Sequence, residues 1–314
     1  MLGVIVRGLI GAVPVLFLVS LITFGLMRFI PGDPSAAIAG LAATAQQIEA
    51  IRKDLGLDQP ILTQLVRWYA GLLQGDLGRS ILLGKGVVAT TMERLPITLA
   101  LSAYAMVLTL LFGLLSGIAA ALRQNSWADQ AAMMFSMLGI SVPNFFLGLL
   151  MIILFSVHLG WLPTGGYVAF TDDPWQWFRT STMPAISLAL LQMGLLARIT
   201  RSTMLEVLRQ DYVRTARAKG LPERTVIFKH ALANALIPIT TVVGIIVSQL
   251  VSGAVVTETL FSIPGMGQLL TSAVLNRDYP MVQGGLLLVT AFLVLINIAV
   301  DVCYAMLDPR VRYE

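Results

Sequence analysis

Long apolar stretches alternate with short polar ones along the whole chain. Crossing a hydrocarbon layer takes about 20 apolar residues in a helix, and six stretches read as spans. They are Gly8–Met27, Pro96–Leu122, Ala131 to about Trp161, about Ser181 to Ala197, Ala231–Thr257 and Met281 to about Leu307. The second has no charge, the third only His158 near its end, and Asp301 interrupts the sixth. Between the first and second spans the pattern changes. Residues 31–95 open with Pro31-Gly32-Asp33-Pro34, which is turn chemistry. From Ala45 to Leu55 the residues Gln46, Glu49 and Lys53 recur on one helical face, and Ile48, Ile51 and Leu55 on the other. Gly56 is placed to end that helix. A second helix is predicted over Ile61–Leu73, stopping before Gly75-Asp76-Leu77-Gly78-Arg79-Ser80. The pattern predicts an all-α integral membrane protein with a small helical insert between helices 1 and 2.

Composition agrees. The chain of 314 residues is 57% hydrophobic and 12% charged, with mean hydropathy +0.82. Soluble domains carry about 25% charged residues, so lipid is the solvent for most of this surface. Six spans return both termini to one side, and Lys and Arg select which. With the N-terminus cytoplasmic, the short inner segments hold Arg7, Arg123, Arg198, Arg201, Arg209, Arg214, Arg217, Lys219, Arg224, Lys229, Arg310 and Arg312. The short outer loops hold only Arg179 and Arg277. Twelve against two places both termini in the cytoplasm. The formal charge of +4 thus reports topology and implies no nucleic-acid partner. The domains expected are 1–30 (cytoplasmic N-terminus and first helix), 31–95 (periplasmic insert), 96–307 (helices 2–6) and 308–314 (cytoplasmic tail). A cleaved signal peptide is the alternative for the first span, with Ala37-Ile38-Ala39 as its site. A core of about 20 apolar residues exceeds the usual 7–15, so an uncleaved helix is expected. Cys303 stands alone, so no disulfide within the chain and no cysteine metal cluster can form.

The loop between the fourth and fifth spans, Arg198–His230, is far longer than a turn requires and holds eight of the twelve inner charges. Asp211–Lys219 reads as a short helix, with Gly220 as its left-handed stop and basic residues in the last turn. Pro222 suits the first position of a following helix, and Glu223 complements that helix's N-terminal dipole. Ala216 and Ala218 keep this knuckle thin enough for a partner's groove. A basic loop resting on anionic lipid headgroups fits the same residues.

A resemblance separates these two. Thr215-Ala216 with Gly220, followed by a helix with a later proline, is similar to the EAA loop of ABC importer permeases. The chain resembles the dipeptide/oligopeptide/nickel branch of that family. The resemblance is carried by Pro31–Pro34, Leu55–Pro60, Gly75–Ser80, Ser141-Val142-Pro143-Asn144-Phe145, Tyr212–Leu221, Phe261-Ser262-Ile263-Pro264-Gly265-Met266-Gly267, Arg277-Asp278-Tyr279-Pro280 and Leu307–Arg312. Arg214 stands where the loop signature has glutamate, and Pro238 comes later than its usual proline. The resemblance implies a type-1 ABC importer permease fold. It implies a coupling segment made of Tyr212, Arg214, Thr215, Ala216, Arg217, Ala218, Lys219, Gly220 and Leu221. It also implies a homologous second permease, two separate ABC ATPases that use ATP and Mg, and a periplasmic binding protein. By analogy the ATPases close on ATP, draw the coupling helices together and turn the pore outward to receive solute. This chain has no G-x-x-x-x-G-K-[ST] phosphate loop, so it is expected to bind no cofactor and to be a transport subunit rather than an enzyme.

Charges are costly in lipid and mark function, and few occur here. Asp301 is read as packing against Arg310 or a helix end, with a gate role as the alternative; Glu258 is read as a rim residue at the outer end of span five. Thr241, Gly244, Ser248 and Ser252 share one face of span five, which suits either close helix packing or the translocation path. Asn144, Gln192, Ser248, Gln249, Ser252 and Asn297 are the path candidates. Asp76, Arg79, Arg277, Asp278 and Tyr279 are candidates for binding-protein docking. Trp161, Tyr167, Trp175, Trp177 and Phe178 suit an interfacial aromatic belt, with direct contact to the solute as the alternative. A secondary transporter would call for mid-span carboxylates, and an intramembrane hydrolase for H-E-x-x-H or G-x-S-x-G; none of these is present. Peptide is the expected solute, with nickel chelate, glutathione or an opine-like solute as alternatives within the family.

Overall fold

Six apolar stretches become five long helices and one broken pair in the computed structural model. It describes residues 2–29, 35–36, 43–54 and 56–307. The turn at 31–34, the tripeptide 37–39, Leu55, Arg310 and the 308–314 tail lie outside the described residues. The helices are α1 (Leu2–Phe29), α2 (Ala45–Asp54), α3 (Ile61–Leu73), α4 (Val87–Leu122), α5 (Trp127–Ser141) and α6 (Asn144–Met151), which continues as a π-helical turn over Ile152–His158. Then come α7 (Pro174–Leu208) and α8 (Asp211–Ala218). A single turn at Glu223–Thr225 and a π-helical turn at Val226–Leu232 lead into α9 (Ala233–Leu260), followed by α10 (Met266–Leu275) and α11 (Tyr279–Leu307).

The third expected span is not straight. α5 and α6 meet at 103°. Pro143 has no N–H to continue the ladder, and it holds Val142 extended at φ −92° and ψ 122°. Both halves are apolar, so hydropathy alone reads through the corner.

The chain divides into two compact units. One comprises Met1–Val4, Ile97–Pro264 and Ile296–Glu314; the other comprises Ile5–Pro96 and Gly265–Leu295. The first is built around α7. Asp173 caps its start by accepting from the Gln176 N–H at 3.0 Å, with Pro174 opening the first turn. α5, α6 and α9 pack on it, and Met183, Leu188, Met193, Leu196 and Met204 are buried there with Ile239, Ile246, Leu250 and Phe261. Glycines set the closest approaches. A Cβ on Gly117 would lie 2.6 Å from the Ala197 carbonyl oxygen, and one on Gly165 2.4 Å from the Phe261 oxygen. Trp177 is buried at the start of α7 among Tyr104, Phe170 and Phe178. Trp161, Trp175 and Phe178 of the expected belt stand exposed.

In the second unit the insert leans on α1. Tyr69 of α3 shares a 2.7 Å hydrogen bond with Ser20 and stacks on Phe17, while Trp68 stacks on Phe24. Gly56 takes the expected left-handed conformation at φ 65°. The 76–87 segment packs through Leu77 and Val87 against Ala273, Met281 and Val282. The insert therefore shares its unit with α1, α10 and part of α11 rather than standing alone.

Candidate functional site

α8 hangs from α7 by only Arg209 and Gln210. Val213 and Ala216 turn inward and bury against Val226, Val207 and Leu208. Tyr212, Arg214, Thr215, Ala218, Lys219 and Leu221 stand exposed. Thr215 Oγ1 donates to the Asp211 carbonyl at 2.9 Å, so its hydroxyl reinforces the helix. Ala216 corrects the sequence reading, because it is packed inward and its small size serves the contact with Val226. Ala218 does lie on the outer face.

The stop is as expected. Gly220 has φ 76°, its N–H donates to the Arg217 carbonyl at 2.9 Å, and the Leu221 N–H donates to the Ala216 carbonyl at 3.4 Å. Pro222 precedes the next helical turn instead of starting it, with ψ 138°. Glu223 accepts from Arg217 Nη2 at 2.7 Å and from Nε at 3.2 Å. This bond holds the Glu223 carboxyl below its ordinary range and raises the Arg217 guanidinium. Partial desolvation of its ring pushes the Tyr212 phenol up. The knuckle is thus fastened on one side and presents cations, a phenol and a leucine on the other. The π-helical turn at Val226–Leu232 behind it is a kind of irregularity common at functional sites.

The path candidates separate. Ser248 donates to Asn297 Oδ1, and one turn away Gly244 would bring a Cβ to 2.4 Å from Val300 Cγ1. That stretch of the small-residue face is a packing seam with α11. Gln249 and Ser252 are exposed. Asn144 Oδ1 accepts from the Phe145 N–H at 2.8 Å, at the α6 start. Gln192 is buried within the α7 packing, and its Oε1 has no partner among the described residues. No hydrogen bond joins these four to the Ser248–Asn297 pair among the described residues.

The outer segments hold two surprises. Asp278 was expected on a docking surface but is 2% exposed. Its carboxylate accepts from Ser80 Oγ and from the N–H groups of Ile81 (3.2 Å), Leu82 (3.2 Å) and Met281 (3.3 Å). It is a latch across nearly 200 residues of chain. Asp76 and Arg79 are exposed; Asp76 accepts from the Gly78 N–H at 2.8 Å and Arg79 donates to the Gly84 carbonyl at 3.0 Å. Arg277 and Tyr279 are half-buried, with Arg277 at φ 58°. Glu258, expected at the rim, is fully buried and accepts from Thr98 Oγ1 at 2.6 Å. Burial of a carboxylate calls for such a partner, and Thr98 lies on a different span.

One pair escaped sequence reasoning. Asp129 accepts from Arg201 Nε at 2.5 Å and Nη2 at 2.7 Å, and from the Asn125 N–H at 2.9 Å. Its side chain is 4% exposed and that of Arg201 25%. Ser126, which caps α5 by accepting from the Asp129 N–H, was the available signal for an ordered turn there.

Comparison with known proteins bears on the whole chain. The signature of the binding-protein-dependent transport system inner membrane component matches residues 111–313, and that of the N-terminal part of such membrane components matches residues 1–102. A protein described as the permease of a peptide transport system in Brucella abortus (strain 2308) is 48% identical over 314 residues, covering 100% of both chains. One described as a peptide ABC transporter permease in Sinorhizobium fredii is 41% identical over 309 residues, covering 98% of this chain and 99% of that one. The glutathione transport system permease protein GsiC of Escherichia coli (strain K12) is 42% identical over 314 residues, with 100% of both chains covered. Among solved structures, an inward-facing conformation of the MetNI methionine ABC transporter matches with a TM-score of 0.58. It has 17% identity and covers 70% of this chain and 97% of that one, a likeness of fold.

Proposed function

This chain belongs to the family of inner-membrane components of binding-protein-dependent transport systems, and from that premise we propose how it works as the permease subunit of a peptide-importing ABC transporter. It is a multi-pass membrane protein and a transport subunit, not an enzyme. ATP is hydrolysed on separate ATPase chains, and solute is delivered by a separate binding protein. The chain forms one half of a pore whose other half is a homologous permease. Both termini and α8 face the cytoplasm, a reading supported by the Lys and Arg asymmetry. The solute is a peptide or a small peptide-like molecule such as glutathione, in keeping with the relatives at 48% and 42% identity.

The observation that carries the coupling role is the two-sided build of α8. Val213 and Ala216 anchor it, while Tyr212, Thr215, Ala218 and Leu221 offer an ordered outer surface. A headgroup-binding loop needs charge but not a fixed shape. Asp76 and Arg79, exposed beside the Ser80–Asp278 latch, are offered to the binding protein.

The test is disulfide or short bis-thiol cross-linking of Ala218→Cys, in a Cys303→Ser background, to cysteines in the groove of the co-expressed ATPase. Cross-linking that changes in yield with ATP supports coupling through α8. A residue 218 that reacts only with lipid-phase or aqueous reagents would overturn it.

A further inference from the structure

α5 and α7 run antiparallel with an interlocked seam. Near the elbow, a Cβ on Gly139 would come within 2.9 Å of the Leu190 carbonyl oxygen. One turn further on, Ser136 Oγ donates to the Gly194 carbonyl at 2.5 Å, and a Cβ on Gly194 would lie 2.6 Å from the Ser136 oxygen. The seam closes with the bidentate Asp129–Arg201 pair. The backbones approach closely along this seam, and the Ser136 hydroxyl bond ties the two helices there. The ion pair fixes the end nearest α8. Arg201 stands two turns before α7 ends at Leu208, about 10 Å along the axis at 1.5 Å per residue. Two linking residues then lead into α8. The same carboxylate also holds the Asn125 N–H, so the turn between α4 and α5 is tied to α7 as well. α5 ends where the chain breaks at Val142–Pro143.

We infer that Asp129 and Arg201 are positioning residues that make α5 move with α7, so that a stroke arriving at α8 is delivered to the α5–α6 elbow. The inference rests on the coupling role proposed for α8. A bidentate pair with its carboxylate buried is suited to the task, because each Arg N–H fixes direction as well as distance. A single-point contact would let α5 pivot.

The experiment uses the whole transporter, with its second permease, ATPases and binding protein, in proteoliposomes. Solute uptake and ATP hydrolysis are measured together for Asp129→Asn, Arg201→Gln and the exchange Asp129→Arg/Arg201→Asp. The single variants are expected to keep binding-protein-stimulated hydrolysis while uptake per ATP falls about tenfold, and the exchange to restore much of it. In the double variant Asp129→Cys/Arg201→Cys, made with Cys303→Ser, a short bis-maleimide tie is expected to recover the lost uptake per ATP. Unchanged uptake per ATP in the single variants would overturn the inference. So would a parallel loss of hydrolysis, uptake and assembled complex, which marks a staple of the fold only, or a covalent tie that restores nothing. The Ala218→Cys cross-link to the ATPase, run on the same preparations, separates the two readings. If it forms and uptake per ATP is unchanged, the clamp fails and coupling stands; if it is absent in the unperturbed protein, the coupling reading itself fails.

Discussion

Substitution at Gly220 isolates backbone conformation from packing. The residue sits at φ 76°, and a Cβ built on it meets nothing within 4 Å. Any penalty is therefore conformational. An L-residue in the left-handed region costs about 1–2 kcal/mol, or roughly a 5- to 30-fold loss of the native turn relative to its alternatives. Asparagine visits this region readily, whereas β-branched residues are true outliers there. Losing the turn would break the Leu221 to Ala216 hydrogen bond and withdraw Glu223 from Arg217. The expected order of uptake per ATP is Gly220→Asn close to wild type, Gly220→Ala reduced several-fold, and Gly220→Val reduced most. Membrane insertion should be equal in all three. The assay is uptake with simultaneous ATP hydrolysis in reconstituted transporter. A valine variant that couples as well as glycine, or an asparagine variant that fares worse than valine, would refute the reasoning.

Two further outcomes concern stability. Gly244→Ala should lower the thermal midpoint in detergent, because the added methyl meets Val300 Cγ1 at 2.4 Å and overpacking costs about 1–3 kcal/mol; adding Val300→Ala should restore part of the loss, and no restoration would contradict the seam. Asp278→Ala should lower the midpoint more than Asp278→Asn, since it strands the donors of Ser80, Ile81, Leu82 and Met281 at about 1–3 kcal/mol for each left unsatisfied; equal midpoints would contradict the latch.

Local features were readable in the sequence. The second insert helix, Ile61–Leu73, runs as expected up to the glycine-containing turn that bounds it, and the left-handed turns at Gly56 and Gly220 follow from their positions after helical segments. What local pattern could not supply was direction and partnership. Val142-Pro143 lies between two apolar runs, so hydropathy alone does not reveal the 103° corner there. Glu258 looked like a rim residue because a carboxylate at a span end has water nearby by default. In the fold it is buried and accepts from Thr98, 160 positions earlier. Arg201 reads in sequence as one more inner cation, since nothing near it reveals Asp129, 72 positions away. The partner of Asp278, Ser80, is likewise 198 positions away.

The right-angled corner at Pro143 constrains the neighbourhood of this protein. Hydrocarbon tolerates an interrupted backbone ladder only where protein or water shields it. Lipid chains are thus excluded from the crook between α5 and α6 in the working complex. Something other than lipid, either protein or water, must therefore fill that crook.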